Sequence, residues 1–213
     1  MSRNCSPFWI VKALRLSLLL LGVLVLSAAP AVAQNGTITG TITNSAGGAA
    51  LSGIWVDLYD SAGNGASITS RTGSNGSGVY TISVAPGTYY PKTWNQAGFI
   101  NRVWDGASGT TCVPCVVQTA GTAVTVTAGS TSTVNFTLTP GSRISGTITR
   151  TDTGAPAQGE TVGIYSSTGQ WVGESASSGS TGTYLTSGGM PPGTYFAWIY
   201  HSPNGLINQV YNG

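Results

Sequence analysis

Apolar and hydroxyl side chains alternate with a period of two residues along most of the chain after residue 34. At residues 37–43, isoleucine and glycine occupy every second position, and threonine occupies the positions between them. This period predicts short strands that each bury one face, because successive side chains of a strand point to opposite sides. Almost no helix is expected. We predict turns at 44–48, 61–65, 85–87 and 128–130, and strands at 38–43, 54–59, 78–84, 88–94, 99–104, 122–127 and 133–139.

The pattern occurs twice. Residues 38–43 return as residues 144–149, an offset of 144 − 38 = 106 residues, and the segment Pro-Gly-Thr-Tyr at 86–89 returns at 192–195. A duplicated sequence indicates that one structural plan is used in both copies. We therefore predict one domain at residues 34–140 and a second at 143–213. The short linker between them should hold the two end to end with limited freedom.

Seven or eight short strands in about 105 residues are typical of a β-sandwich. The side chains on the inward faces of its two sheets should form the core. Tyr89 and Tyr195 each follow a Pro-Gly corner, where a tyrosine packs its ring inward and its hydroxyl bonds nearby backbone. The predicted core of the first copy comprises Ile38, Ile42, Val56, Leu58, Tyr80, Ile82, Tyr89, Val134, Phe136 and Leu138.

Four short motifs recur in the same order in both copies: a Gly-x-Ile opening strand, a Gly-x-x-Val-x-(Leu/Ile)-Tyr strand, a Gly-x-Tyr strand and the Pro-Gly-Thr-Tyr corner. Residues 36–139 and 143–213 therefore resemble the carboxypeptidase regulatory-like family. This resemblance implies an all-β chain with two tandem prealbumin-like or Ig-like β-sandwiches, a fold also called carbohydrate-binding-like, and it implies modules that are usually noncatalytic. Related adhesin repeats carry Lys–Asn cross-links, but Lys92 does not lie on the first strand, so that property is not carried over.

The first 33 residues have the organisation of a signal peptide. Three basic residues, Arg3, Lys12 and Arg15, precede the apolar run 16–26, and small residues follow it. A basic region, a short apolar region and an Ala-x-Ala site are typical of a cleaved secretory signal. We predict cleavage between Ala33 and Gln34; a retained signal anchor is the alternative. The mature protein should be secreted, periplasmic or at the cell surface of a bacterium, and it should not be held in the membrane.

Charge is scarce in this chain. Only 7% of the residues are charged, against roughly a quarter in an average soluble domain. Without the three basic residues of the signal segment, the balance is 5 − 6 = −1. A nucleic-acid-binding protein needs a basic face, and the sequence offers none, so we expect no nucleic-acid partner.

Cys112 and Cys115 flank two residues and allow three interpretations. A redox Cys-x-x-Cys pair belongs beside a βαβ unit, which the pattern lacks. A structural zinc site needs four ligands, and His201 is the single histidine. A disulfide suits an exported protein, so we favour a disulfide between these cysteines over free thiols.

No catalytic or metal-binding set emerges from the acidic residues and His201. A pair of carboxylates would indicate a glycosidase, but no acidic pair recurs between the copies. We therefore interpret the carboxylates as solvated strand and turn residues, and predict no enzyme activity, no cofactor and no metal. The acidic residues are Asp57, Asp60, Asp105, Asp152, Glu160 and Glu174.

Aromatic side chains are the best candidates for binding. Alternation after the Pro-Gly corners points several of them away from the core, where flat apolar rings can stack on sugar rings. Alternatively, the rings pack against residues 107–121 or against the other copy. The candidate ligand-binding residues are Tyr90, Trp94, Trp104, Phe196, Trp198 and Tyr200.

Two functions follow from these observations. The first is a noncatalytic structural or interaction module of an exported protein. The second is a carbohydrate-binding module attached to, or derived from, a secreted glycan-active enzyme. The expected partners are a polysaccharide or another protein outside the cell or at its surface.

The second copy has no counterpart of residues 107–140, which contain the predicted strands 122–127 and 133–139, a hairpin on this interpretation. A sandwich without that segment exposes apolar side chains and an unpaired strand edge. We therefore expect either that the chain is part of a longer repeat protein or that a partner's strand completes the second copy.

Overall fold

The computed structural model describes residues 34–62, 68–175, 177–199, 202 and 204–211. The predicted signal segment up to Ala33 lies outside the described residues, and so do Tyr200 and His201. The described residues are almost entirely β-structure, as expected. None of their helices is long and apolar enough to cross a membrane.

The described residues of the part of the chain that matches the first copy, here called the first half, form ten strands and one helical turn. Its helix, α1 (Val117–Ala120), follows β7. The strands are β1 (Gly36–Asn44), β2 (Trp55–Tyr59), β3 (Ile68–Gly73), β4 (Val79–Val84), β5 (Gly87–Trp94), β6 (Arg102–Val103), β7 (Thr110–Thr111), β8 (Val124–Val126), β9 (Thr131–Thr133) and β10 (Phe136–Leu138).

The described residues of the part that matches the second copy, the second half, form six strands. They are β11 (Ser145–Thr147), β12 (Val162–Ser166), β13 (Trp171–Glu174), β14 (Thr183–Leu185), β15 (Tyr195–Ile199) and β16 (Gln209–Val210).

Two sheets pack face to face in the first half. One contains β10, β1 and β4, with β9 also paired to β1; the other runs β3-β2-β5-β6-β7, with β8 paired to β5. The side chains of β1 alternate as predicted, since Ile38 and Ile42 are fully buried while Thr41 is exposed. All ten predicted core residues belong to one buried cluster, which also contains Ile54, Val84, Val124 and Val126.

Residues 122–139 do not form the predicted hairpin. Strand β8 pairs antiparallel with β5 in one sheet, whereas β9 and β10 pair parallel with β1 in the other. The chain therefore crosses from sheet to sheet at the turn around Gly129, whose φ is 68°. Alternation identified the buried residues of this segment correctly, but it carries no information on which strand edge each of them joins.

The second half repeats part of this plan. Strands β13-β12-β15-β16 form one sheet, and β11 pairs with β14 in the other. Its core is smaller and is built on Val162, Ile164, Ile148, Ala157 and Met190.

The two corner tyrosines behave as predicted. Tyr89 donates its hydroxyl to the Ala85 carbonyl at 2.9 Å, and Tyr195 donates to the Pro191 carbonyl at 2.6 Å, in both cases four residues upstream. Both rings pack in or against the core of their own half. The equivalent bonds show that the duplicated motif has the same local structure in both halves.

A backbone hydrogen bond joins the two halves directly, since the Gly189 N–H donates to the Phe99 carbonyl at 3.1 Å. Beside it, the N–H of Gly141, in the linker, donates to the Gly98 carbonyl at 2.9 Å. A side chain at position 189 would collide with backbone, since its Cβ would lie 2.2 Å from the Gly98 oxygen. Glycine at this position therefore permits the close approach, which places one wall of a cleft described below.

Candidate functional site

Three cross-strand pairs form the outer face of the β2–β5 sheet in the first half. Trp55 lies opposite Trp94, Asp57 opposite Lys92, and Tyr59 opposite Tyr90. They share this face because Val56 and Leu58, at the intervening positions of β2, point into the core. We call these six side chains the first outer face.

Arg71 on β3 fixes the centre of the first outer face. Its Nε and Nη2 donate to the two oxygens of Asp57, with Nη2 2.9 Å from Oδ2. The guanidinium carbon lies 5.8 Å from the Trp55 ring centroid and 5.5 Å from that of Trp94, within range of cation–π attraction. The hydrogen bond to Asp57 raises the pKa of Arg71, so the guanidinium stays charged.

Asp57 is therefore not the solvated strand residue that the sequence suggested. It is only 2% exposed and is held by a bidentate ion pair. Burial lowers the pKa of the neighbouring Lys92, and the negative charge of Asp57 opposes that shift. Two basic groups thus flank one carboxylate at the centre of this face.

One end of the first outer face is covered. Tyr59 and Tyr90 pack against a small apolar cluster that contains Cys112 and Val117. Cys112 and Cys115 form a disulfide, as predicted, with their Cα atoms 4.8 Å apart. The open part of the face is therefore the end with Trp55 and Trp94, which are 40% and 36% exposed.

A tight loop ahead of the disulfide is held by Asp105. Its Oδ1 accepts hydrogen bonds from the backbone N–H groups of Ala107, Ser108 and Gly109 at 2.8–3.1 Å. Partial burial raises the pKa of Asp105, but these N–H groups outweigh burial and lower the pKa below its ordinary value. This carboxylate therefore has a structural role.

The second half has a more aromatic outer face. Trp171 and Phe196 both lie opposite Tyr165, and Trp198 lies opposite Gly163. The Tyr165 ring contacts Trp171 edge-on at 5.5 Å and Trp198 at 5.7 Å between centroids. Phe196 is 49% exposed and Trp171 is 43% exposed. The first half has Asp57 opposite Arg71 where this face has Gly163 opposite Glu174, so the ion pair is replaced by a glycine and an exposed carboxylate beside the rings.

A cleft of about 370 Å³ lies between the two outer faces. Trp94 borders it from the first half, and Trp171 borders it from the second. The cleft thus combines two partly exposed indoles with hydrogen-bonding groups. Its polar lining includes the side chains of Lys92, Gln96, Asn101 and Glu174, and the disulfide loop 112–115 closes one side.

The proposed aromatic residues occupy different positions. Trp94 and Phe196 are exposed, and Trp94 lines the cleft. Tyr90 and Trp198 are half-buried on their outer faces. Trp104 instead packs against the first core, with its ring edge-to-face on Phe136 at 6.1 Å. Tyr200 lies outside the described residues.

The candidate residues named from the sequence omit Trp55, Arg71 and Trp171, which shape the open surface. Trp55 alternates with Ile54 and Val56, so its outward direction was visible in the sequence. Neither Arg71 nor Trp171 lies in a segment with clear alternation, so nothing in the sequence placed either residue beside these rings.

Glu160, like Asp57, corrects the expectation that the acidic side chains are solvated. It is fully buried, and its Oε1 accepts hydrogen bonds from Ser202 at 2.8 Å and Asn204 at 2.9 Å. The carboxylate therefore holds Ser202 and Asn204 against the rest of the second half. Within the described part of the chain, no three His, Cys, Asp or Glu residues are grouped so that they could hold a metal ion.

Comparisons with known proteins give structural similarity only. No family model and no curated protein sequence matches the chain. A streptococcal ancillary pilin matches with 14% identity and a TM-score of 0.39, covering 84% of this chain; the chain spans 59% of that pilin. Shaft pilin SpaA from Lactobacillus rhamnosus GG matches with 13% identity and a TM-score of 0.32, covering 84% of this chain and 92% of SpaA. A DUF3823 family protein from Bacteroides uniformis ATCC 8492 matches with 14% identity and a TM-score of 0.31, covering 83% and 95%.

Proposed function

We propose that this chain is a noncatalytic interaction module of an exported protein, related to the carboxypeptidase regulatory-like modules that its motifs resemble. The observation that supports this most strongly is the cleft, where Trp94 and Trp171 from two different sheets border one concave surface. Partly exposed aromatic rings beside hydrogen-bonding groups are typical of binding sites. The ligand would lie between the two indoles.

The structural use of the acidic side chains supports a noncatalytic role. Asp57 pairs with Arg71, Asp105 holds a loop, and Asp152 pairs with Arg150. A catalytic carboxylate needs freedom to exchange a proton with a substrate, whereas these carboxylates are engaged within the protein. The disulfide and the predicted signal peptide support export, since disulfides persist in oxidising compartments.

Carbohydrate binding is the second candidate function, and the lining of the cleft favours it. An indole face can stack on the apolar face of a sugar ring. The amides of Gln96 and Asn101 can donate and accept hydrogen bonds, which matches the many hydroxyl groups of a sugar. A polysaccharide would then extend along the cleft, with one sugar ring on each tryptophan.

Substituting the cleft tryptophans should weaken binding without unfolding the protein. Trp94→Ala and Trp171→Ala should each cost about 1 kcal/mol of binding free energy, a five- to sixfold loss of affinity, because each removes one stacking ring. Glycan-array screening followed by titration of the best ligand measures this effect. Trp198 does not line the cleft, so a loss of affinity in Trp198→Ala would show that the ligand also contacts the rest of the outer face of the second half.

Phe196→Ala is the matched control, since Phe196 is exposed but does not line the cleft. It should leave affinity unchanged. If the folded Trp94→Ala and Trp171→Ala variants bind the ligand as tightly as the unaltered chain does, the cleft is not the binding site. Loss of the folded state in the Trp94 or Trp171 variant would instead show that the ring has a packing role.

A further inference from the structure

In the first half, residues 131–138, here called the closing segment, cover the edge of β1 that is opposite to β4. Strand β9 pairs with residues Thr37–Thr39 and β10 with residues Ile42–Asn44, both parallel to β1. Between them the chain crosses directly over Gly40, where a Cβ would lie 1.7 Å from the Val134 oxygen. The Val134 N–H donates to the Thr39 carbonyl at 2.8 Å. The closing segment therefore needs a glycine beneath it.

Three residues, Gly40, Tyr80 and Thr41, contact the closing segment, and we call them its cradle. Tyr80 lies opposite Gly40 on β4 and donates its hydroxyl to the Val134 carbonyl at 2.7 Å. The Thr41 N–H donates to the side-chain oxygen of Asn135, the next residue of the closing segment, at 2.9 Å. The cradle thus holds Val134 and Asn135 of the closing segment.

The second half keeps the same cradle. Gly146 lies opposite Tyr184, as Gly40 lies opposite Tyr80, and Thr147 follows Gly146 as Thr41 follows Gly40. The atoms nearest to a Cβ on Gly146 belong to the Tyr184 ring, the closest at 2.8 Å, and not to a crossing backbone. Among the described residues, β11 pairs with β14 alone. Its other edge corresponds to the edge of β1 that β9 and β10 occupy.

A groove lies along this edge. Its volume is about 280 Å³, and its lining combines apolar and polar residues. The apolar ones include Ile148, Val162, Ala197 and Ile199, the polar ones include three threonines and Gln209, and Tyr184 and Tyr211 also line it. In the first half the corresponding space is filled by Val134, Phe136 and Leu138, which are at most 1% exposed. Tyr211 is 75% exposed, whereas Trp104, its counterpart in the repeat, is covered edge-on by Phe136.

We infer that this groove accepts an extended strand from a partner polypeptide, which adds to the free edge of β11 in parallel orientation. Backbone groups on a sheet edge pair with an added strand, and pockets for alternate side chains select its sequence. The Tyr184 hydroxyl donates to one carbonyl of that strand. This inference concerns a surface separate from the aromatic cleft and goes beyond the binding function proposed above.

The first half also indicates the chemistry of the partner strand. The closing segment ends with Val134-Asn135-Phe136-Thr137-Leu138, with apolar residues at alternate positions and no charge. The apolar side chains fill the groove, and the side-chain oxygen of the asparagine accepts a hydrogen bond from the Thr147 N–H. We therefore assign a partner strand with the pattern apolar-Asn-apolar-polar-apolar.

The chain's own closing segment supplies the probe. A synthetic peptide with the sequence of residues 131–140 is added to the full chain at concentrations up to about 1 mM, the range expected of a weak strand addition. Hydrogen exchange should slow at residues 145–150 and stay unchanged at β3, which lies at the edge of the other sheet of the first half. A peptide in which the residues matching Val134, Phe136 and Leu138 are serine should bind at least about tenfold more weakly, because it buries no apolar side chain in the groove.

A conservative variant tests the cradle. Tyr184→Phe should weaken peptide binding by about three- to tenfold through the loss of one hydrogen bond. Tyr165→Phe, on the opposite face of the second half, should bind the peptide as the unaltered chain does. The variants Trp94→Ala and Trp171→Ala should also bind the peptide normally, which separates this inference from the function of the cleft.

Three results would overturn the inference. The first is no change in exchange at residues 145–150 with saturating peptide. The second is protection of β11 equal to that of β1 in the chain alone and at every chain concentration. The third is protection that increases with chain concentration together with dimer formation in sedimentation, which would make a second copy the occupant.

Discussion

Phe136→Ala should lower the free energy of unfolding by about 3–5 kcal/mol, the usual range for truncating a buried phenylalanine. Phe136 is 1% exposed and its ring contacts Trp104 edge-on. It also lies on β10, which pairs with β1, so the cavity would form where the closing strand meets the core. This loss is large, because the whole stability of a domain is only about 5–15 kcal/mol.

Urea denaturation followed by circular dichroism measures this change, with the slope of the transition compared between variants. Phe196→Ala is the matched control, since it removes the same ring from an exposed position in the second half. Its effect should stay within about 0.5 kcal/mol. Similar losses for Phe136→Ala and Phe196→Ala would contradict the position of β10 in the core.

Arg71→Ala should destabilise the chain by about 2–3 kcal/mol, because it leaves the buried carboxylate of Asp57 without its bidentate partner. Removing one member of a fully buried ion pair costs about 3–5 kcal/mol. The Arg71 side chain is 40% exposed, so water replaces part of the lost interaction. The same substitution also removes the cation between Trp55 and Trp94 and should loosen both rings at the open end of the first outer face.

The chain contains a matched control for this ion pair. Arg150 and Asp152 form an ion pair of similar geometry in which the side chains are 36% and 59% exposed. Arg150→Ala should lower stability far less than Arg71→Ala does, because an exposed ion pair contributes little. The double variant Arg71→Met with Asp57→Leu should recover part of the stability lost in Arg71→Ala, because no charge is then left buried. A double variant less stable than Arg71→Ala would show that the desolvated carboxylate is not the source of the loss.

Most strands and the core of the first half were predictable because apolar residues there recur with a period of two. Ile38, Val56 and Phe136 each lie in a segment where apolar and polar residues alternate, so the sequence alone identifies the inward face. The hydroxyl bonds of Tyr89 and Tyr195 were predictable for a related reason, since a local Pro-Gly corner determines them.

Strand pairing could not be predicted in the same way. Residues 122–139 show alternation, but β8 and β10 join different sheets, and that choice depends on contacts with β5 and β1 that are distant in sequence. Strand β3 was missed because its polar residues carry no periodic signal. Arg71, which lies on β3, therefore remained unassigned, and with it the buried state of Asp57.

The candidate site was predictable only in part for the same physical reason. Alternation along β5 places Trp94 on the outer face. The cleft, however, exists because backbone contacts between Gly98, Phe99 and Gly189 bring Trp171 and Glu174 to its other side. A contact between two repeats leaves no pattern within either repeat.

The central claim is that the chain binds its ligand through the cleft between Trp94 and Trp171 without transforming the ligand. The most direct test is an array that carries surface polysaccharides and extracellular proteins. It is probed with the chain and with the double variant Trp94→Ala, Trp171→Ala. We expect the chain to retain at least one ligand, whose mass is unchanged after incubation. The double variant should bind that ligand about thirtyfold more weakly, as two additive losses of about 1 kcal/mol require. Undiminished binding by a folded double variant, or conversion of the ligand to a product, would contradict the account.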